Sequence, residues 1–141
     1  MAFEIAWYIP KRVLYSRLYD YLTPDDLLEG KVQWQVYLDQ IDQPAHHLID
    51  LSAVIQARLG LRTIASAMGS IYKHPHVGAQ IYFGSQDAFI QYLAAGVASV
   101  YNLESPFLAT RREALTYLLS LDPSLRDHIP LQDQPLITAA V

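Results

Sequence analysis

Apolar and polar residues alternate with a period of two through the first twenty or so positions, which is the spacing of β-strands. In FEIAWYI, Phe3, Ile5, Trp7 and Ile9 fall on one side. In RVLYSRLYDYL, Leu14, Ser16, Leu18 and Leu22 stand opposite Val13, Tyr15, Arg17, Tyr19 and Tyr21. Pro10, Lys11 and Arg12 join the two runs, so a hairpin is expected, although IPKR lacks the Asn-Gly or Asp-Gly of the tightest turns. TPDDLL then changes the period. Thr23 is placed as an N-cap, Pro24 at the first helical position, and Asp25 and Asp26 where the helix dipole favours negative charge. The inward stripe of this helix is expected to be Leu27, Trp34, Leu38 and Ile41, with Gly30 costing about 1 kcal/mol relative to alanine and an end before Pro44.

HLIDLSAV is too short and too apolar for a helix and reads as a strand buried on both faces, as in a parallel sheet. Leu61, Ile64, Ala65 and Met68 follow at i, i+3, i+4 and i+7, one face of a helix. VGAQIYFG alternates as a strand, Ser85 is expected to cap the helix QDAFIQYLAAGVASVY, and PFLA gives a last strand. TRREALTYLLSL opens with the Thr-x-x-Glu pattern of Thr110 and Glu113 and stops at Asp122-Pro123. The order predicts an α/β domain over residues 1–123: a mixed sheet of about five strands with about four helices, wound as a right-handed β-α superhelix. SLRDHIPLQDQPLITAAV has no sustained period, and residues 124–141 are expected to be a tail docked through Leu136 and Ile137.

Composition narrows the classes. The 141 residues are 52% hydrophobic and 17% charged, enough to bury one core and too apolar for disorder. The net charge of -4 and scattered Lys and Arg, with Lys11-Arg12 and Arg111-Arg112 the longest basic runs, offer no stripe to a nucleic-acid backbone. Without cysteine, disulfides, thiol catalysis and thiolate zinc sites are excluded. The N-terminus lacks a cleavage signal and no apolar run approaches the roughly 18 residues of a membrane span, so a cytoplasmic protein making no membrane contact is expected.

The element order, the Asp-Leu-Ser of HLIDLSAV, the later GAQIYFGS and the closing PFLATRREALTYL together resemble the anti-sigma-factor antagonist family, the SpoIIAA-like STAS domains, over roughly residues 3 to 122. The resemblance implies a phosphorylatable serine in the turn after that strand, at the N-terminus of the next helix. Free backbone N–H groups and the positive helix end would stabilise a phosphate there. This chain departs from the pattern: its turn reads VIQARLGLRT, with no Asp-Ser pair, and Thr63 is the first hydroxyl after Ser52. Ser52 matches the serine within the strand motif, which the family uses structurally. The architecture is expected to be kept and the phosphoserine switch lost.

Other residues that could carry chemistry also have plainer roles. His46-His47 and KHPHVG both precede expected strands and would share one edge of a parallel sheet, but no carboxylate sits at ligand spacing with either, so surface or turn histidines are expected in place of a metal site. At the opposite edge Asp50, Ser52, Ser85, Asp87 and Thr110 gather near strand C-termini, where open parallel sheets place ligands. They form a candidate anion or small-ligand site, although capping accounts for Ser85 and Thr110 and the helix dipole for Asp87. No GxSxG serine or phosphate-cradling glycine series is present, so neither an enzyme nor a cofactor is expected. Tyr15, Arg17, Tyr19 and Tyr21 share one side of the second strand, and Tyr82 is placed on the non-core side of a later one. They form a candidate interface if helices cover mainly the other face. The expected function is a non-enzymatic binding or regulatory module acting through protein–protein interaction, as a homodimer. The alternative is a carrier or sensor of a small apolar ligand held between sheet and helices, with Trp34, Phe89 and Leu93 as walls. A histidine-dependent metal hydrolase is a third reading.

Overall fold

The computed structural model describes residues 3–129. Strand β1 (Phe3–Ile9) and β2 (Val13–Leu22) form an antiparallel hairpin. There follow α1 (Pro24–Leu38), β3 (Ala45–Ala57), α2 (Leu61–Tyr72), β4 (Val77–Phe83), α3 (Ala88–Tyr101), β5 (Phe107–Leu108), α4 (Arg111–Leu121) and a 3-10 turn (Pro123–His128). The sheet order is β1-β2-β3-β4-β5, with β2 to β5 all parallel. This is the mixed five-stranded α/β architecture the pattern predicts.

Local chemistry starts and stops the helices. At α1, Thr23 accepts from the Asp26 backbone N–H while the Asp26 carboxylate accepts from the Thr23 N–H at 2.9 Å, a reciprocal capping box. At α4, Thr110 accepts from the Glu113 N–H at 3.2 Å, but the Glu113 carboxylate reaches one residue further back, to the Ala109 N–H at 3.0 Å. The α3 cap is Asp87, which accepts from the N–H groups of Phe89 and Ile90. Ser85, the expected cap, instead accepts from the Asp87 N–H at 3.1 Å and shapes the turn before it. Both residues suit a cap, and only the chain direction after β4 selects between them.

Helices cover both faces of the sheet. Against α1, α2 and α3 lies a core that includes Leu14, Trp34, Leu38, Ile49, Leu51, Ile64, Met68, Ile71 and Leu93. Against α4 and the 3-10 turn lies a second one, with Val13, Tyr15, Leu48, Ala79, Ile81, Phe83, Leu118 and Leu125. Successive residues of β2, β3 and β4 therefore enter different cores, which is why HLIDLSAV reads as continuously apolar. Ala67 rather than Ala65 completes the buried stripe of α2, and Ile41 lies beyond the end of α1 while still packing on the first core.

The packed chain continues past the boundary expected at residue 123. Arg12, in the hairpin turn, pairs with Asp122 at 2.5 Å and donates to the Ser124 hydroxyl at 3.0 Å, and Leu125 is 0% exposed. A single apolar residue in one 3-10 turn produces no period, so the pattern could not announce it. Leu136 and Ile137 lie outside the described residues.

Leu125→Ala should destabilise the protein by about 2–4 kcal/mol, because the deletion leaves a cavity between α4 and the sheet. Urea denaturation measures it. A loss under about 0.5 kcal/mol would mean that the turn is peripheral to the fold.

Candidate functional site

The parallel register sets Asp50 beside Phe83 and Phe83 beside Leu108, so the segments that follow converge at the C-terminal edge of the sheet. Ser52, Gly84, Ser85 and Thr110 arrive there together. Gly84 has φ +92°, and a Cβ on it would stand 3.0 Å from the Ser52 Cβ, so the close approach of β3 to this turn requires glycine. The polar groups of the edge are already engaged. Asp50 accepts from the Tyr15 hydroxyl at 3.0 Å and from the Ser52 N–H and hydroxyl at 2.9 and 2.6 Å. Ser85, Asp87 and Thr110 serve the two helix starts described above. Burial and the Asp50 carboxylate push the Tyr15 phenol above its ordinary pKa, so it remains a donor to Asp50.

Double coverage of the sheet rearranges the tyrosines. Tyr15 is 4% exposed and packs near Tyr8 and Phe83 in the second core, with the Arg111 guanidinium 5.8 Å from its ring centroid. Tyr82 lies on the face opposite to the one expected, against α1–α3, because β4 directs Ala79, Ile81 and Phe83 toward α4. Its alternation alone could not say which of two covered faces was which. Arg17 and Tyr19 are half-buried and Tyr21 is 41% exposed. Arg17 lies over the Tyr19 ring at 5.2 Å and Arg58 over Tyr21 at 3.9 Å, so this remaining surface combines aromatic rings with cations.

The histidines do not form one cluster. His46 and His47 lie within β3 rather than before it. His46 Nδ1 accepts from the Ala79 N–H at 3.0 Å, and burial lowers its pKa. The His74 and His76 rings lie 5.0 Å apart, tilted at 57°, beside the end of α1, with His74 Nε2 3.3 Å from Asp39 and His76 Nδ1 3.2 Å from the Leu38 carbonyl. Among the described residues no three His, Asp or Glu side chains converge as a metal site.

Between the sheet and α1–α3 lies a cavity of about 160 Å³. Trp34 and Leu93 line it as expected, together with Leu18, Leu51, Met68 and Val97. Phe89 does not: it is 45% exposed and stacks on Tyr92 outside. The strand wall is polar. Ser16, His47 and Gln80, the buried polar residues of the described chain, come from three neighbouring strands, and Tyr72 and Tyr82 join them. His47 pairs with Gln80 in the β3–β4 register, and its Nε2 is 2.6 Å from the Ser16 Oγ. Removal from water pushes the His47 pKa down to about 3, opposed by the nearby Gln80 side chain, so the ring is neutral. Tyr72 donates to Tyr82, and burial raises both phenols, Tyr82 to about 12. Sequence reasoning missed this group, whose signal was a polar residue at a core-facing position in each of three apolar strands. It also missed an outward apolar ridge on α1, formed by Leu28, Val32 and Val36 at i, i+4 and i+8, all exposed.

No family model and no curated protein matches the chain. Solved structures do. An uncharacterized DUF3478-family protein with a SpoIIAA-like fold, from Shewanella loihica PV-4, aligns with a TM-score of 0.59 and 19% identity over 82% of this chain and 94% of its own. The anti-sigma factor antagonist SpoIIAA in its unphosphorylated form aligns with a TM-score of 0.54 and 10% identity over 84% of this chain and 97% of its own. The fold is SpoIIAA-like, as the sequence resemblance implied.

His47 gives the fold an acid limit. Unfolded, its imidazole takes a proton near pH 6.5; folded, it stays neutral down to about pH 3. Protons therefore favour the unfolded chain across that window, and stability falls as the pH drops, by up to about 1.4 kcal/mol per pH unit. Between pH 7 and pH 5, urea denaturation should show a loss about 2 kcal/mol smaller in His47→Gln than in the wild type. Equal losses would mean that His47 titrates in the folded protein as it does in water.

Proposed function

We propose that this SpoIIAA-like domain is a non-enzymatic regulatory module that acts by binding a protein partner, with no phosphoserine switch at the start of α2. The observation that carries the reading is the β3–α2 junction. Strand β3 runs on to Ala57, and α2 starts at Leu61 behind Gly60, which supplies no side-chain cap. An anion on a helix N-terminus would find backbone N–H groups there, but the turn that leads into it, Arg58-Leu59-Gly60, holds no hydroxyl to carry one. Thr63 is half-buried inside the first turn. Ser52 is five residues upstream of the end of β3, hydrogen-bonded to Asp50 and pressed against Gly84.

The partner surface assigned by this reading is the cationic, aromatic patch of Arg17, Tyr19 and Tyr21, and the partner that needs fewest assumptions is a second copy of the chain. Aromatic rings bury large area, and Tyr and Arg are enriched among the residues that carry binding energy. A two-fold contact would use each residue twice.

A second reading is favoured by the cavity between the sheet and α1–α3, whose size and apolar walls suit a small ligand. In that reading the module senses or carries the ligand and the regulatory surface responds to it.

Two measurements test the first reading. In analytical ultracentrifugation the wild type should sediment as a dimer and Tyr19→Glu as a monomer with unchanged helical circular dichroism, since each subunit would bury an unpaired charge in the contact. A monomeric wild type at high micromolar concentration removes the dimer, and an unfolded variant shows that Tyr19 supports the core.

Incubation with a serine kinase of the anti-sigma type should leave Ser52 unmodified, because it lies within β3 and its hydroxyl donates to the Asp50 carboxylate at 2.6 Å. Stoichiometric phosphate on Ser52 by peptide mass mapping overturns the loss of the switch.

A further inference from the structure

Helix α4 packs on β3, β4 and β5, and its two flanks face opposite ways. Tyr117 donates to Glu104, just before β5, so its flank faces the β5 edge. The other flank begins with Arg111, whose guanidinium lies 5.8 Å from the Tyr15 ring of β2, and continues at i+4 and i+8 with Leu115 and Leu119. Both leucines are half-buried against the second core. Beside this flank lies a strip of hairpin surface. It starts at Tyr8 and Tyr15, takes in Ala6, which stands next to Tyr15 in the register, and runs on to Arg17 and Tyr19. Ala6, Arg17 and Tyr19 are half-buried.

The described chain ends at this strip. Arg12 ties Asp122 and Ser124 to the hairpin turn, and Ile129, one 3-10 turn further on, packs on the second core. Residues 130–141, PLQDQPLITAAV, follow. Pro130 and Pro135 bar a continuous helix through them, and from Leu136 onward every residue but Thr138 is apolar. An extended chain rises about 3.3 Å per residue, so Leu136 and Ile137 can reach about 25 Å from Ile129, while Tyr19 lies about 20 Å along β2 from Val13. The length of the segment matches the strip.

We propose that residues 135–141 dock on the strip between α4 and the hairpin, with Leu136 and Ile137 against Leu115, Leu119 and Ala6 and the end of the segment over Arg17 and Tyr19. The proposal rests on the reading of Arg17, Tyr19 and Tyr21 as the partner surface and adds its regulation. The chain's own segment covers part of the patch, and a partner has to displace it. Because the segment is tethered at Ile129, it acts at an effective concentration on the order of mM, which a partner free in solution must outcompete.

The chain has no cysteine, so Thr138→Cys in the 141-residue protein carries a nitroxide at a single known position. In 15N NMR, recorded below the concentration at which the protein dimerises, the label should broaden the amide signals of Ala6 and Tyr19 and leave that of Val32, on the outer side of α1, sharp. Broadening elsewhere alone, or none, overturns the docking. A mixture of 15N protein without the label and spin-labelled protein without 15N should show no broadening; broadening there places the segment on a second copy and overturns its docking on its own chain. In analytical ultracentrifugation Leu136→Asp/Ile137→Asp should dimerise at least about tenfold more tightly than the wild type, since a patch covered about nine-tenths of the time loses about that factor in apparent affinity. Equal dimer affinities overturn the regulation. Absence of a dimer in both proteins overturns the reading of the patch as a self-association surface, and the broadening at Ala6 and Tyr19 then decides the docking by itself.

Discussion

Burial of the three central parallel strands on both faces is the constraint on which the rest of this structure depends. Strands β2, β3 and β4 lie between α1–α3 on one side and α4 with the 3-10 turn on the other. Where both layers lie over them, as at residues 13–16, 47–49 and 79–81, a side chain has no solvent-facing side to occupy. Each polar residue placed there must find its partner inside the protein or remain unsatisfied, at a cost of about 1–3 kcal/mol. The polar residues of the sheet are therefore informative in a way that its leucines and isoleucines are not.

On the α4 side this demand is met within the protein. Tyr15, Asp50 and Ser52 satisfy one another, and Gly84 lets the turn after β4 come close to β3 beside them. The edge that open parallel sheets commonly use for ligands is here occupied by structural hydrogen bonds and helix caps. On the side of α1–α3 the demand is met incompletely. Ser16 and His47 form a close pair, and a cavity remains between this wall and the helices. The two faces of one sheet thus divide the work: one is a packed support, and the other retains a cavity with a directional polar group.

The same double coverage limits the outer surface. Covering Tyr15 with α4 and turning Tyr82 toward the cavity reduces the aromatic face to Arg17, Tyr19 and Tyr21, near the end of β2, where the register with β3 shifts twice. Irregular pairing at that point turns the residues out of the regular alternation. The ridge of Leu28, Val32 and Val36 gives α1 apolar residues on its outer side as well.

The sequence by itself determined the element order, the hairpin, the α/β class and the helix caps at Thr23 and Thr110, because these depend on residues within a few positions of one another. Periods of two and of 3.6 and the chemistry of a cap are local properties. It could not assign Tyr82 to a face, choose Asp87 over Ser85, place Leu125 in a core or find the cavity. When both faces of a strand are covered, alternation no longer distinguishes inside from outside, and a period of two carries no label for which core is which. The pairing of Ser16 with His47 spans 31 residues of chain and exists only because the register of β2 on β3 sets Leu14 beside His47. The fold was local information, and the site is a consequence of tertiary packing, which alone decides where the polar residues of three different strands meet and whether space is left beside them.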